Sequence, residues 1–137
     1  MDTANKKVLY ISYDGMTDPL GQSQVIPYLR GLSDDGFAIT LLSFEKEERL
    51  EKNHTLISDI LKGKNITWVP LLYTKRPPVF STIWDVSKLI SRATQLHRSE
   101  NFAIVHCYVT WSLAMRLLFH PTHLFPLPIH SFCVELN

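Results

Sequence analysis

An open sheet of four or five parallel strands with flanking helices is the fold class this sequence predicts, and two observations predict it. Short runs dense in β-branched and aromatic residues recur along the chain, and each is followed by a longer stretch whose apolar residues fall three or four apart. Strands alternating with helices at that interval imply parallel pairing through right-handed crossovers. The 137 residues suffice for one such unit with a real core and are too few for two ordinary ones.

The first run, VLYISY (Val8–Tyr13), is almost wholly apolar, as a strand buried on both faces must be. Val25, Tyr28, Leu29 and Leu32 then make a helical stripe that ends near Gly36. Pro27 fits without loss only in a first helical turn, so that helix is expected to start near Ser23 or Gln24, with Ser23 as its N-cap. FAITLLSF (Phe37–Phe44) reads as the second strand. The helix after it, EKEERLEKNHTLISDILKGK, is acidic at its front and basic at its end, and Leu50, His54, Ile57 and Leu61 give its stripe. Its charged front reads as a solvated face with i,i+4 pairs such as Glu45–Arg49 and Glu48–Lys52.

NITWVPLLY is the third strand, and TKRPPVF a loop. STIWDVSKLISRATQLHRSE is the third helix, packing through Ile83, Val86, Ile90, Ala93 and His97. FAIVHC (Phe102–Cys107) is the fourth strand and TWSLAMRLLF a short helix. The pattern fails after Phe119, so residues 1–119 read as one unit and 120–137 as an atypical tail. That tail holds three of the eight prolines and three of the six histidines, with PIHSFCVEL a candidate fifth strand.

The net charge of +1 gives no reason to expect nucleic acid as a partner. Two cysteines, Cys107 and Cys133, make no disulfide framework, and no run is long and apolar enough for a signal peptide or membrane span, so a cytoplasmic location is expected. His120, His123, His130 and Cys133 superficially match zinc spacing, but the intervening LFPLPI fits no finger, and no metal or cofactor is expected. His54 and His97 sit in helical stripes and read as packing residues. Trp68, Trp84 and Trp111 read as core rather than sugar platforms. TKRPPVF reads by default as a solvent loop, with peripheral membrane contact as its alternative.

The chemistry-bearing stretch is DGMTDPLGQSQ (residues 14–24), far longer than an ordinary strand-to-helix turn. In an open α/β sheet, ligands sit outside the carboxyl ends of the strands and beside helix N-termini, which is where this loop falls. Gly21 permits close backbone approach to a ligand, and Gln22, Ser23 and Gln24 offer the neutral donors and acceptors that suit hydroxyl-rich molecules. The plainer reading is a long turn whose Asp and Gly residues satisfy backbone geometry. Asp14 stands between capping the turn and binding a hydroxyl. His106, at a strand end, stands between substrate contact and a bond to backbone. Neither G-x-G-x-x-G after the first strand nor G-x-x-x-x-G-K-[ST] occurs, and the third strand ends without the Asp of a phosphoacceptor domain.

KVLYISYDGMTDPLGQSQVIPYLRGLSDDGFAITLLSFEK (Lys7–Lys46) resembles the N-terminal domain of GT-B glycosyltransferases of the family 4 type, and IVHC (Ile104–Cys107) resembles their fourth strand. The resemblance implies a Rossmann-like, acceptor-side half of a GT-B fold. Its activity would be retaining transfer from a nucleotide-sugar to an acceptor hydroxyl, with no obligatory metal. By position it places Gly21, Gln22, Ser23 and His106 along the substrate cleft, and Asp14 is the further candidate substrate-binding residue on its place in the loop alone. Relatives of this type carry a basic residue two places after the histidine, where this chain has Tyr108. Their donor domain, with its E-x7-E glutamates, has no counterpart within these residues. The chain is therefore expected to be inactive alone and to need a second domain or a separate chain. The alternative is a stand-alone sugar- or nucleotide-binding or docking module without catalysis.

Overall fold

The computed structural model describes residues 6–74, 78–108 and 131–135. In chain order it contains β1 (Lys7–Ser12), a π-helical turn (Gly21–Val25), α1 (Ile26–Asp34), β2 (Ala38–Glu45), α2 (Glu47–Leu61), β3 (Ile66–Leu72), α3 (Pro78–Glu100), β4 (Ile104–Tyr108) and β5 (Ser131–Glu135). They build one sheet in the order β3-β2-β1-β4-β5. β1 to β4 are parallel, as the alternation of strands and helices requires. A fifth strand is present but runs antiparallel to β4, Tyr108 opposite Ser131 and Ile104 opposite Glu135. The short helix expected over 110–119, Trp111, and the tail histidines His120, His123 and His130 lie outside the described residues.

This order explains where the helices go. β1, β2 and β3 step outward in one direction, and the chain then returns across the sheet to place β4 on the other side of β1. Right-handed crossovers in opposite directions put their helices on opposite faces. Accordingly α1 and α2 cover Val8, Tyr10, Ile39 and Leu41, through Ile26, Leu29, Ile57 and Leu61. α3 covers Leu9, Ile11 and Leu42, through Leu89, Ala93 and Leu96. β1 is buried on both faces because it is central, which is why its sequence does not alternate. Pro70 lies in β3, an edge of the sheet where a missing N–H costs little. α1 closes in a Schellman turn, with Gly36 at φ 93° and Phe37 N–H donating to the Leu32 carbonyl at 3.2 Å.

Two helices depart from expectation. Helical backbone begins at Pro19 rather than at Ser23, and Ser23 lies inside the π-helical turn, not at an N-cap. The cause is Pro27. It offers no N–H to the Ser23 carbonyl, and its ring crowds that carbonyl. The turn widens instead, with the Ile26 N–H reaching back five residues to the Gly21 carbonyl. The helix thus runs through the proline instead of starting at it.

In α3 the expected packing stripe is split: Ala93 packs on the sheet and His97 stacks on Phe102 as expected, but its first three residues face outward. Ile83 is 59% exposed, Val86 39% and Ile90 61%, while the buried side carries Ser81, Asp85, Leu89, Ala93 and Leu96. Asp85 is buried because Thr74 donates to it through both its N–H and its hydroxyl (2.6 Å for the latter), and Lys88 pairs with it at 2.8 Å. Burial alone would raise this carboxyl, but the Lys88 and Thr74 bonds prevail and hold it below the usual range. A polar anchor therefore occupies the inner face, and the isoleucines are turned outward. Trp84, read as core, is 63% exposed. Trp68 is half-buried, stacked on His54 and bonded through Nε1 to Ser43 Oγ.

Candidate functional site

The loop from Tyr13 to Asp18 leaves β1 beside the end of β4, where the strand order reverses. The Tyr13 N–H donates to the Tyr108 carbonyl at 3.3 Å, which ties the two strand ends together. This reversal point is where open α/β sheets form a crevice.

A buried carboxylate shapes that loop. Glu45, last residue of β2, is fully buried and accepts four hydrogen bonds: Met16 N–H at 2.7 Å, Thr17 N–H at 3.1 Å, Thr17 hydroxyl at 2.6 Å and Ser43 hydroxyl at 2.6 Å. Ser43 can donate because its oxygen accepts from Trp68 Nε1–H at 2.9 Å. The run from Glu45 is therefore not a uniformly solvated helix face, and Glu45 does not pair with Arg49. Arg49 pairs with Asp18 at 2.8 Å, and Lys46 joins them at 3.1 Å. Glycine is needed twice beside this clamp. A Cβ on Gly15 would sit 2.7 Å from Glu45 Oε2 and 2.9 Å from the Phe44 carbonyl oxygen. One on Gly21 would sit 2.3 Å from the Gly15 carbonyl oxygen.

Much of the loop's polarity is thus satisfied internally. Thr17 and Asp18 serve the clamp and the ion pairs, Gly21 serves backbone packing, and the Gln22 side-chain amide donates to the Thr17 carbonyl at 3.1 Å. Three polar side chains stand apart from this pattern. Asp14 Oδ2 is buried without a hydrogen-bond partner, and Ser23 and Gln24 are exposed. Burial raises the Asp14 carboxyl above its ordinary value, the nearby Asp18 charge raises it further, and Lys46 offsets part of this.

Beside them lies a crevice of about 240 Å³, lined by Tyr10, Gln24, Val25, Tyr28, His106 and Tyr108. Register builds its floor. Tyr10 pairs with His106 across β1 and β4, so their rings stack at 4.9 Å with planes 9° apart. Tyr28 of α1 closes one side, its ring 6.4 Å from that of His106. Burial lowers the His106 pKa, favouring the neutral imidazole. Burial raises Tyr108, and the Asp14 charge adds to the effect.

Of the residues singled out from sequence, His106 lines this crevice and Asp14 is within electrostatic reach of its Tyr108 wall. Gly21, Gln22 and Ser23 belong to the adjoining turn, and the crevice is entered instead by Gln24 from the same turn. Tyr10, Tyr28 and Glu45 were not legible as site residues. Tyr10 looks like any strand residue, and Tyr28 like any stripe residue. Glu45 was hidden in an acidic run, although its place directly after an apolar strand was a usable signal. Searches against protein-family models and against curated proteins give no match for this chain. Among the described residues no group of three potential metal ligands is clustered, and no helix is long and apolar enough to cross a membrane.

Proposed function

We propose that this chain forms the acceptor-side domain of a retaining glycosyltransferase, holding a hydroxyl-bearing acceptor while a second domain or chain holds the nucleotide-sugar. The observation that carries the reading is the crevice in which Gln24 from the helix entrance and His106 from β4 share one wall with three tyrosines. Its chemistry suits a polyhydroxylated ligand. A neutral imidazole presents one donor and one acceptor nitrogen, matching a hydroxyl that both gives and takes a hydrogen bond. The exposed ring of Tyr28 offers a surface to pack against the C–H face of a sugar ring. The resemblance of Lys7–Lys46 to the acceptor-side domain of such enzymes supports the same assignment.

Saturation-transfer NMR on the full chain tests this, with a panel of free glycosides, polyols and nucleotide-sugars as probes. Weak binding of hydroxylic compounds is expected, lost in His106→Ala and in Gln24→Ala. Tight binding of a nucleotide-sugar with no binding of any hydroxylic compound would overturn the acceptor-side assignment.

A further inference from the structure

The crevice that holds His106 is lined without formal charge. Among the described residues its wall is Tyr10, Gln24, Val25, Tyr28, His106 and Tyr108, with no lysine, arginine, aspartate or glutamate. Burial keeps it so. It favours the neutral ring of His106 and holds the phenolic protons of Tyr10 and Tyr108. The space is also small. At about 240 Å³ it falls short of the roughly 300–1,000 Å³ of pockets for drug-sized ligands, so it suits one ring-sized group.

The charges around the crevice are answered elsewhere. Lys46 and Arg49, cations of the adjoining segment, both pair with Asp18, at 3.1 and 2.8 Å. Arg30, the basic residue of α1, is exposed and forms no part of the lining. A helix N-terminus can hold an anion through its free backbone N–H groups. Here that terminus precedes Gln24, and the Gln22 N–H is spent on the Asp18 carbonyl at 3.1 Å. The charge that does reach the lining is negative, from Asp14 toward Tyr108. An ionised group entering the crevice would lose hydration, find no described cation on the wall and meet a like charge.

We propose that the crevice selects uncharged hydroxylated rings and rejects the same rings when they carry a phosphate or a carboxylate, with Gln24 as the residue that sets the selection at its exposed side. The inference rests on the acceptor-side reading above and names the substrate class of that same site. Tyr108 extends the neutral wall on the β4 side, where the register places it two residues beyond His106.

Two-dimensional NMR titration of the full chain tests this with methyl glucoside, methyl galactoside and methyl mannoside, each beside its 6-phosphate and its uronate counterpart. The neutral member of at least one set is expected to bind, and its two charged counterparts to bind more weakly by roughly tenfold or more. Gln24→Arg puts a cation on the wall at an exposed position, so the fold should be retained. It is expected to shift the ratio of phosphate to neutral binding toward the phosphate by roughly tenfold or more. Equal or tighter binding of the phosphate or uronate by the unaltered chain would overturn the inference and leave the acceptor-side reading standing. A ratio unmoved in Gln24→Arg would overturn it as well. Failure of every member of every set to bind would overturn the acceptor-side reading itself, and this inference with it.

Discussion

The Thr17 hydroxyl donates to Glu45 Oε2 at 2.6 Å, joining the loop after β1 to the last residue of β2 across 28 positions of sequence. Three further donors converge on the same carboxylate, from the Met16 and Thr17 backbone and from Ser43. Replacing Glu45 by Gln turns an NH₂ group toward donors that need an acceptor. Glu45→Gln is expected to destabilise the protein by about 2 kcal/mol or more, since buried donors lose a charged partner. Urea unfolding of the two proteins measures this. The amide resonances of Met16 and Thr17 should lose their hydrogen-exchange protection first.

Gly21 and Gly31 make a paired test. Alanine normally stabilises a helix relative to glycine by roughly 0.5–1 kcal/mol. Around Gly31 in α1 there is nothing within 4 Å of an added Cβ, so Gly31→Ala should show that gain. At Gly21 the new Cβ meets the Gly15 carbonyl oxygen at 2.3 Å, and backbone must move. Gly21→Ala should destabilise by about 2 kcal/mol or more, in line with overpacking against a rigid neighbour. Thermal melts of both variants read the opposite signs directly.

Asp14 sets a pH dependence. Its carboxyl is raised above 3.8 by burial and by Asp18, so the folded state holds the proton longer than the unfolded chain does. Its contribution to stability is fully present below the ordinary value of 3.8 and is lost as pH rises through the raised folded value. Asp14→Asn removes that loss. Its stability relative to wild type should increase over this window and level off above it. Parallel denaturant titrations across pH check the trend.

His106 acts with the opposite slope. Burial places its folded pKa below 6.5, so at pH above 6.5 the ring is neutral in both states and contributes no pH dependence. As pH falls from 6.5 through the lowered folded value, the unfolded chain gains the proton first and folding weakens. A His106→Gln variant should lose this part of the acid destabilisation. The chemical shift of the His106 ring protons against pH reports the same midpoint.

The architecture was legible because it rests on composition along the chain. β1 to β4 read as apolar runs between amphipathic stretches, and parallel pairing follows from their spacing. Facing was less legible where polar anchors intervene. In α3 the isoleucines announced a packing stripe, yet Asp85 claimed the inner face through Thr74 and Lys88, partners that sequence spacing does not reveal. The start of the first helix was misplaced because Pro27 is absorbed by a widened π turn, a solution that no propensity encodes. The same holds for the site. His106 was found from its place at a strand end, and Asp14 from its place after the first strand. Much of the loop's unusual length and polarity, by contrast, is explained by Glu45, an acid that looked like the opening of a solvated helix. Tyr10 and Tyr28 enter the crevice only through strand register and helix facing, which require the sheet to be assembled first.

The central claim is that the crevice between Gln24 and His106 receives a hydroxyl-rich ligand. Backbone amide shift mapping by two-dimensional NMR, with the best-binding glycoside titrated into the full chain, tests it most directly. The account predicts saturable perturbations grouped at Asp14, Gln24, Tyr28, His106 and Tyr108, with the residues of α3 unmoved. Perturbations confined to other surfaces, or saturable binding that leaves His106 and Gln24 unshifted, would contradict it.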